Sequence, residues 1–76
     1  GPGGDIVGIG SRVTVVEGDG PEEHYHIVGS PEAAPSEGKI SYKSPLGKAL
    51  VGSCVGDEIP VEAPDGALSF RVVEVQ

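Results

Sequence analysis

The 76 residues carry five Lys or Arg against twelve Asp or Glu, a formal charge of −7, with one Cys and no Trp or Met. That length allows one domain whose small core must be filled by Val, Ile and Leu. An acidic surface repels phosphates, which argues against direct nucleic-acid binding and for a basic protein partner. The lone Cys54 excludes an internal disulfide and a cysteine-rich metal site, and it fits a reducing cytoplasm. No apolar run has the length of a membrane-spanning helix and no signal peptide is legible, so the expectation is a cytoplasmic protein with no membrane partner.

Gly1-Pro2-Gly3-Gly4 reads as a tag scar or linker, which leaves 5–76 as the domain. After a Gly-punctuated approach over 6–10, residues 12–16 are strongly β-prone. They set Val13 and Val15 on one face, Arg12 and Thr14 on the other. A turn over 17–22 leads to a second strand, 23–28, with Tyr25 and Ile27 on one face and His24 and His26 on the other. The two strands form a hairpin. Two prolines and a Gly break regular structure over 30–38, and 39–41 is a short third strand.

The stretch 41–52 contains the only helix pattern. Ser44 is the N-cap, Pro45 takes the first helical position, and Leu46, Ala49 and Leu50 make one apolar stripe. Gly52 closes the helix in the left-handed conformation. Gly47 is a poor helix former, and about two turns cannot survive alone in water, so the helix must lie on a sheet. A turn over 55–57 precedes a strand over 58–62 with Ile59 and Val61 on its buried face. Pro60 cannot donate to a ladder and puts that strand at an edge or a bulge. A second hairpin turn over 63–66 leads to the last strand, 67–75, with Leu68, Phe70 and Val72 inward. Val73 breaks the alternation, so either a bulge shifts the register or both faces are covered there. The fold class is α+β, a curved antiparallel sheet of two hairpins packed on one short helix.

No catalytic constellation is legible. His24 and His26 share a strand face at a spacing that can hold a metal, but no third ligand joins them and that face reads as solvent-facing. Cys54 has no triad partner and reads as a small half-buried apolar residue. Asp57-Glu58, Glu22-Glu23 and Glu32 lie beside turns, where carboxylates are solvated rather than paired across a cleft. Gly8-Ile9-Gly10-Ser11 lacks the strand and helix that frame a phosphate loop. The expectation is a non-enzyme without cofactor or metal. Ser44-Pro45-Leu46 stands out instead: it puts apolar groups at a loop tip, open to a partner or packed only inward.

These blocks carry a resemblance. Lys39-Ile40-Ser41, Ser44-Pro45-Leu46-Gly47-Lys48-Ala49-Leu50-Val51-Gly52, Val55-Gly56-Asp57, Pro64-Asp65-Gly66 and Phe70-Arg71-Val72-Val73-Glu74-Val75 resemble the C-terminal domain of bacterial Gre-type transcription elongation factors. Gly10-Ser11-Arg12-Val13-Thr14-Val15 and Tyr25-His26-Ile27-Val28-Gly29 match that pattern too, so the resemblance runs from about Asp5 to the end.

The resemblance implies an FKBP-like fold and a docking role at the rim of the RNA polymerase secondary channel. In the family an N-terminal coiled coil with an acidic tip supports cleavage of backtracked RNA. No heptads or acidic tip occur in this chain, so the domain is expected to bind polymerase without cleaving transcript and without touching nucleic acid itself. Polymerase contacts carry over to Lys43, Ser44, Pro45 and Leu46. Relatives commonly have Asp or Asn at the position of Lys43, so the charge there is reversed. That bears on any acid-to-basic pairing but not on the apolar contact of Pro45. Three other readings share these residues: a Gre homologue that blocks cleavage, a stand-alone regulator of another protein, and a peptidyl-prolyl isomerase. The last needs an aromatic-lined pocket, and Tyr25, Tyr42 and Phe70 are scattered.

Overall fold

The computed structural model describes residues 6–29, 33–34, 37–64 and 66–76. The scar or linker assigned to 1–4, the domain start at 5, Glu32, the prolines of the 30–38 segment and Asp65 lie outside the described residues. The elements are β1 (Arg12–Glu17), β2 (Glu22–Val28), β3 (Lys39–Ser41), α1 (Pro45–Leu50), β4 (Glu58–Ala63) and β5 (Gly66–Val75).

They form one five-stranded sheet in the order β3-β2-β1-β5-β4. The β1–β2 and β4–β5 hairpins form as the alternation and turn residues require, and β1 also pairs antiparallel with β5. One edge differs from the expected all-antiparallel sheet, because β3 runs parallel to β2. The sequence between β2 and β3 spans 29–38; of its described residues, Gly38 accepts from the His26 N–H at 2.8 Å and Ala34 exchanges backbone hydrogen bonds of 2.8 and 3.2 Å with Lys39. A crossover of this length permits the parallel direction, which a two-residue turn would forbid.

Thr14 faces Glu74 while the next residue, Val15, faces Val72. Val73 is therefore the extra residue of a β-bulge, which keeps Val72 and Val75 on the same face. β4 is the free edge of the sheet, where Pro60 lies opposite Ser69 and its missing N–H is harmless.

The core gathers Val7, Val13, Val15, Ile27, Ile40, Leu50, Val61, Phe70 and Val72. Leu50 is fully shielded from water, and burial of that kind, not intrinsic propensity, holds a six-residue helix in place. The helix packs on β4 and β3, so it touches both edges of the curled sheet. Leu68 departs from expectation: it shares the face of Phe70 but remains 37% exposed, because the core ends before it. Thr14 departs the other way, buried at 7% although it lies on the outer face.

Candidate functional site

The corner between β3 and α1 is built around the Ser41 backbone carbonyl. That oxygen accepts from the Ser44 N–H at 3.0 Å and from the Ser44 hydroxyl at 2.7 Å. The same Ser44 Oγ accepts from the Gly47 N–H at 3.0 Å, which satisfies one open donor of the first helical turn. Ser44 has φ −70° and ψ 158°, the extended backbone an N-cap needs, and Pro45 follows in the first turn. The Ser41 hydroxyl accepts from the Lys43 N–H at 3.0 Å, and the Tyr42 N–H donates to the Val28 carbonyl at 3.0 Å. The corner is thus tied to β3 behind it and to β2 beside it.

Gly47 is buried in this arrangement. A Cβ built there runs into the Ser41 carbonyl oxygen and lies 3.0 Å from Ser44 Oγ. The sequence marks Gly47 only as a weak helix former. A Gly inside a helical pattern can also signal close backbone approach, which is its role here.

The four expected contact residues are contiguous but differ in exposure. Lys43 and Pro45 are exposed, Ser44 is half-buried, and Leu46 is half-buried with part of its side chain against the core. Leu46 therefore packs inward while leaving part of its surface open. The Lys43 ammonium lies 5.7 Å from the centroid of the Tyr42 ring, within reach of a cation–π contact. The first turn of α1 carries no acid and its last turn carries Lys48. On a chain of net charge −7 this corner is locally cationic, a pattern that net charge alone conceals and that weakens the case for a basic surface opposite it.

At the other end of the helix, the Val51 N–H donates to the Gly47 carbonyl at 3.0 Å and Gly52 takes φ +91°, the closing conformation expected of it. The buried Ser53 gives its hydroxyl to the Leu50 carbonyl. Val7 fastens this end from outside, since Gly52 N–H donates to Val7 carbonyl at 2.8 Å and Val7 N–H to Ser53 carbonyl at 2.9 Å.

Among the described residues the remaining chemical candidates are not assembled into a reactive site. Cys54 is half-buried, and its N–H donates to the Asp57 carboxylate at 2.8 Å, which makes Asp57 a turn-forming acid. Tyr25 donates to Glu23 at 3.0 Å. Its pKa is raised by burial first, then by this hydrogen bond and the charge of Glu23. His24 Nδ1 is bonded to the Thr14 hydroxyl at 3.0 Å. Among the described residues no three His, Cys, Asp or Glu side chains are placed to hold a metal ion. No described helix is long and apolar enough to cross a membrane.

Over residues 2–76 the chain matches the family model described as transcription elongation factor, GreA/GreB, C-term. It is 49% identical over 73 residues to the transcription elongation factor GreA of Acetivibrio thermocellus, covering 95% of this chain and 46% of that protein. Against the GreA of Geobacillus kaustophilus the identity is 51% over 73 residues, with the same 95% and 46% coverage. Among solved structures, Thermus aquaticus Gfh1 superposes with a TM-score of 0.85 at 35% identity, covering 99% of this chain and 51% of that one. The GreA/GreB factor of Nitrosomonas europaea superposes with a TM-score of 0.79 at 34% identity, covering 95% of this chain and 61% of that one. The chain spans about half the length of the GreA relatives it matches.

Proposed function

Because the chain belongs to the family of C-terminal domains of the transcription elongation factors GreA and GreB, we propose that it is the RNA polymerase-binding module of such a factor. In this reading it acts in the cytoplasm and docks at the rim of the secondary channel through Lys43, Ser44, Pro45 and Leu46. The observation that carries the reading is the exposed Pro45 ring, held on a corner whose backbone is fixed by the Ser41 carbonyl and the Ser44 cap. A rigid apolar group of this kind loses little entropy on docking. In this reading the domain is a binding module, not a catalyst and not a nucleic-acid binder, and transcript cleavage belongs to the N-terminal coiled coil of the family.

A Gre homologue that competes for the channel without promoting cleavage is the second reading, since the fold is shared by Gfh1 and by a GreA/GreB factor. Among solved structures Gfh1 and a GreA/GreB factor are alike in identity, at 35% and 34%; the GreA reading is preferred because the family model and the curated relatives are GreA and GreB factors. An assay on arrested elongation complexes tests the proposal. Added domain should displace an intact Gre factor and release no RNA fragments. Failure to compete refutes the docking role, and fragment release by the domain alone refutes its assignment as non-catalytic.

A further inference from the structure

Charge is unevenly placed along this chain. Between Gly38 and Gly56 stand Lys39, Lys43 and Lys48 and no Asp or Glu, while all twelve acids lie outside that stretch, where Arg12 and Arg71 are the only Lys or Arg. The stretch is β3, α1 and the helix exit, so segregation in sequence becomes one cationic segment on an acidic body. The described acids nearest its ends are already engaged. Glu37 lies 3.7 Å from the Lys39 ammonium, and Asp57 accepts from the Cys54 N–H at 2.8 Å. Lys43 and Lys48 have no ion pair among the described residues.

Helix geometry puts those two lysines on one patch. Ser44 is the N-cap, so Lys43 precedes the cap and Lys48 is the fourth residue of the helix. These are the two positions at which apolar side chains pack as a staple across the first turn. Lysines hold both positions here, and the Ser41 carbonyl fixes the entry of the chain instead. Pro45 and Lys48 are three apart in the helix, which sets their Cβ atoms about 5–6 Å apart. Lys43, Pro45 and Lys48 are all exposed. The Lys43 ammonium rests 5.7 Å from the Tyr42 ring centroid, a contact that steadies the side chain and leaves its charge in place. An apolar ring is thus flanked by two uncompensated ammoniums.

Building on the docking reading above, we propose that this patch is made for an acidic protein surface, on which carboxylates meet Lys43 and Lys48 beside an apolar hollow that takes the Pro45 ring. Lys48 thereby joins the contact residues, and the polymerase surface opposite the corner is acidic. Complementary charge governs specificity and approach more than affinity. An acidic partner is repelled by the body of the domain and attracted only along this segment, so the pattern that draws it also orients it. A basic partner would be drawn to the acidic body and turned away from Pro45. Single-stranded RNA needs open aromatic faces for stacking, and Tyr42 is half-buried with an ammonium near its ring.

Two measurements test the patch, the first of them independent of polymerase. Amide shifts of the ¹⁵N-labelled domain are followed against the capped peptide Glu-Glu-Leu-Glu-Glu, its Gln and Lys counterparts, and oligouridylate. The acidic peptide should shift Lys43, Ser44, Leu46 and Lys48, and its effect should fade between about 0.05 and 0.3 M salt as screening sets in. The Gln and Lys peptides should leave those amides in place. Shifts at this corner by the Lys peptide, or an acidic peptide that moves only other amides, would overturn the acidic assignment. Oligouridylate binding as tightly as the acidic peptide would overturn the assignment to protein.

In the second measurement core RNA polymerase is titrated with the domain. The doubly substituted Lys43→Gln, Lys48→Gln domain should bind about tenfold more weakly, and Lys48→Glu should weaken binding further. The Lys43→Arg, Lys48→Arg domain should bind like the parent. Lys39→Gln, which removes a cation already paired with Glu37, should change nothing. All variants should keep the thermal midpoint of the parent. A Lys48→Glu domain that binds as well as the parent, or a Lys39→Gln domain weakened as much as the double variant, would overturn the patch while docking stands. An acidic peptide held at the corner of a domain that does not bind polymerase would refute the docking reading and support the acidic partner surface.

Discussion

Gly47 lies so close to the Ser41 carbonyl that a methyl group on its Cα would overlap that oxygen. The same oxygen receives both the N–H and the hydroxyl of Ser44. Strand β3 and helix α1 are therefore joined backbone to backbone, and the corner that presents Pro45 is set before any partner arrives.

This contact decides what substitution at Gly47 does. In an open helix, replacing Gly with a residue of higher propensity gains up to about 1 kcal/mol. Here Gly47→Val should instead lose roughly 1–3 kcal/mol, the usual result of forcing extra atoms into a packed site. Gly47→Ala sets the same Cβ against the Ser41 carbonyl but adds no further methyl groups, and it should cost less. Urea denaturation measures both. An unchanged or raised midpoint for Gly47→Val would show that the two backbones are not in contact.

Leu50 and Lys43 should behave oppositely. Leu50 is fully shielded and Lys43 is exposed. Leu50→Ala should cost roughly 2–5 kcal/mol, and Lys43→Ala should stay within about 0.5 kcal/mol. Equal denaturation midpoints would mean that the helix does not anchor the sheet.

Pro45→Ala separates docking from folding. Alanine is a good helix former, and the Ser44 cap does not depend on the ring, so the thermal midpoint should barely move. Polymerase affinity should fall about tenfold, equivalent to about 1.4 kcal/mol for the loss of one rigid anchor. Both measurements belong on one preparation, since unfolding also lowers binding. Unchanged affinity in a folded variant places the docking surface elsewhere.

Alkaline pH should destabilise the domain through Tyr25. Burial and the Glu23 carboxylate raise its pKa above the ordinary 10.0, so the folded state holds the phenol proton more tightly than the unfolded chain. The associated stability is complete below pH 10, declines as pH rises through the folded value, and is gone above it. Tyr25→Phe should therefore flatten the fall in stability as pH rises past 10. A variant that declines as steeply as the parent would assign the alkaline loss to other groups.

Features set by neighbouring residues were legible before the structure. Ser44 followed by Pro45 marks a helix start by local geometry alone, and the break in alternation at Val73 is visible within one strand, although only the register decides for a bulge over coverage of both faces. Features set by pairing were not. A three-residue β3 carries no signal of direction, so its parallel run beside β2 came only with the fold. Leu68 follows the inward alternation correctly, yet no residue near it in sequence tells where the core stops. Thr14 reads as a solvent-facing residue until the register puts His24 opposite it. The proposed contact residues Lys43 to Leu46 come from one contiguous run. The Ser41 carbonyl and Gly47 that hold them depend on backbone approach.

The place of β1 has a consequence for biosynthesis. β1 lies between β2 and β5, and Arg12 and Gln76 exchange backbone hydrogen bonds of 2.8 and 2.7 Å. β1 thus waits for β5, which is synthesised after every other strand of the sheet, while its hairpin with β2 has one side unpaired. Two-stranded hairpins are marginal in water, and contacts of such long sequence separation form slowly. On the ribosome, nascent chains stalled before residue 66 should remain open to protease, and protection should arrive in one step once β5 has cleared the exit tunnel. Protection that builds up gradually as the chain lengthens would mean that the first hairpin folds without its late neighbour.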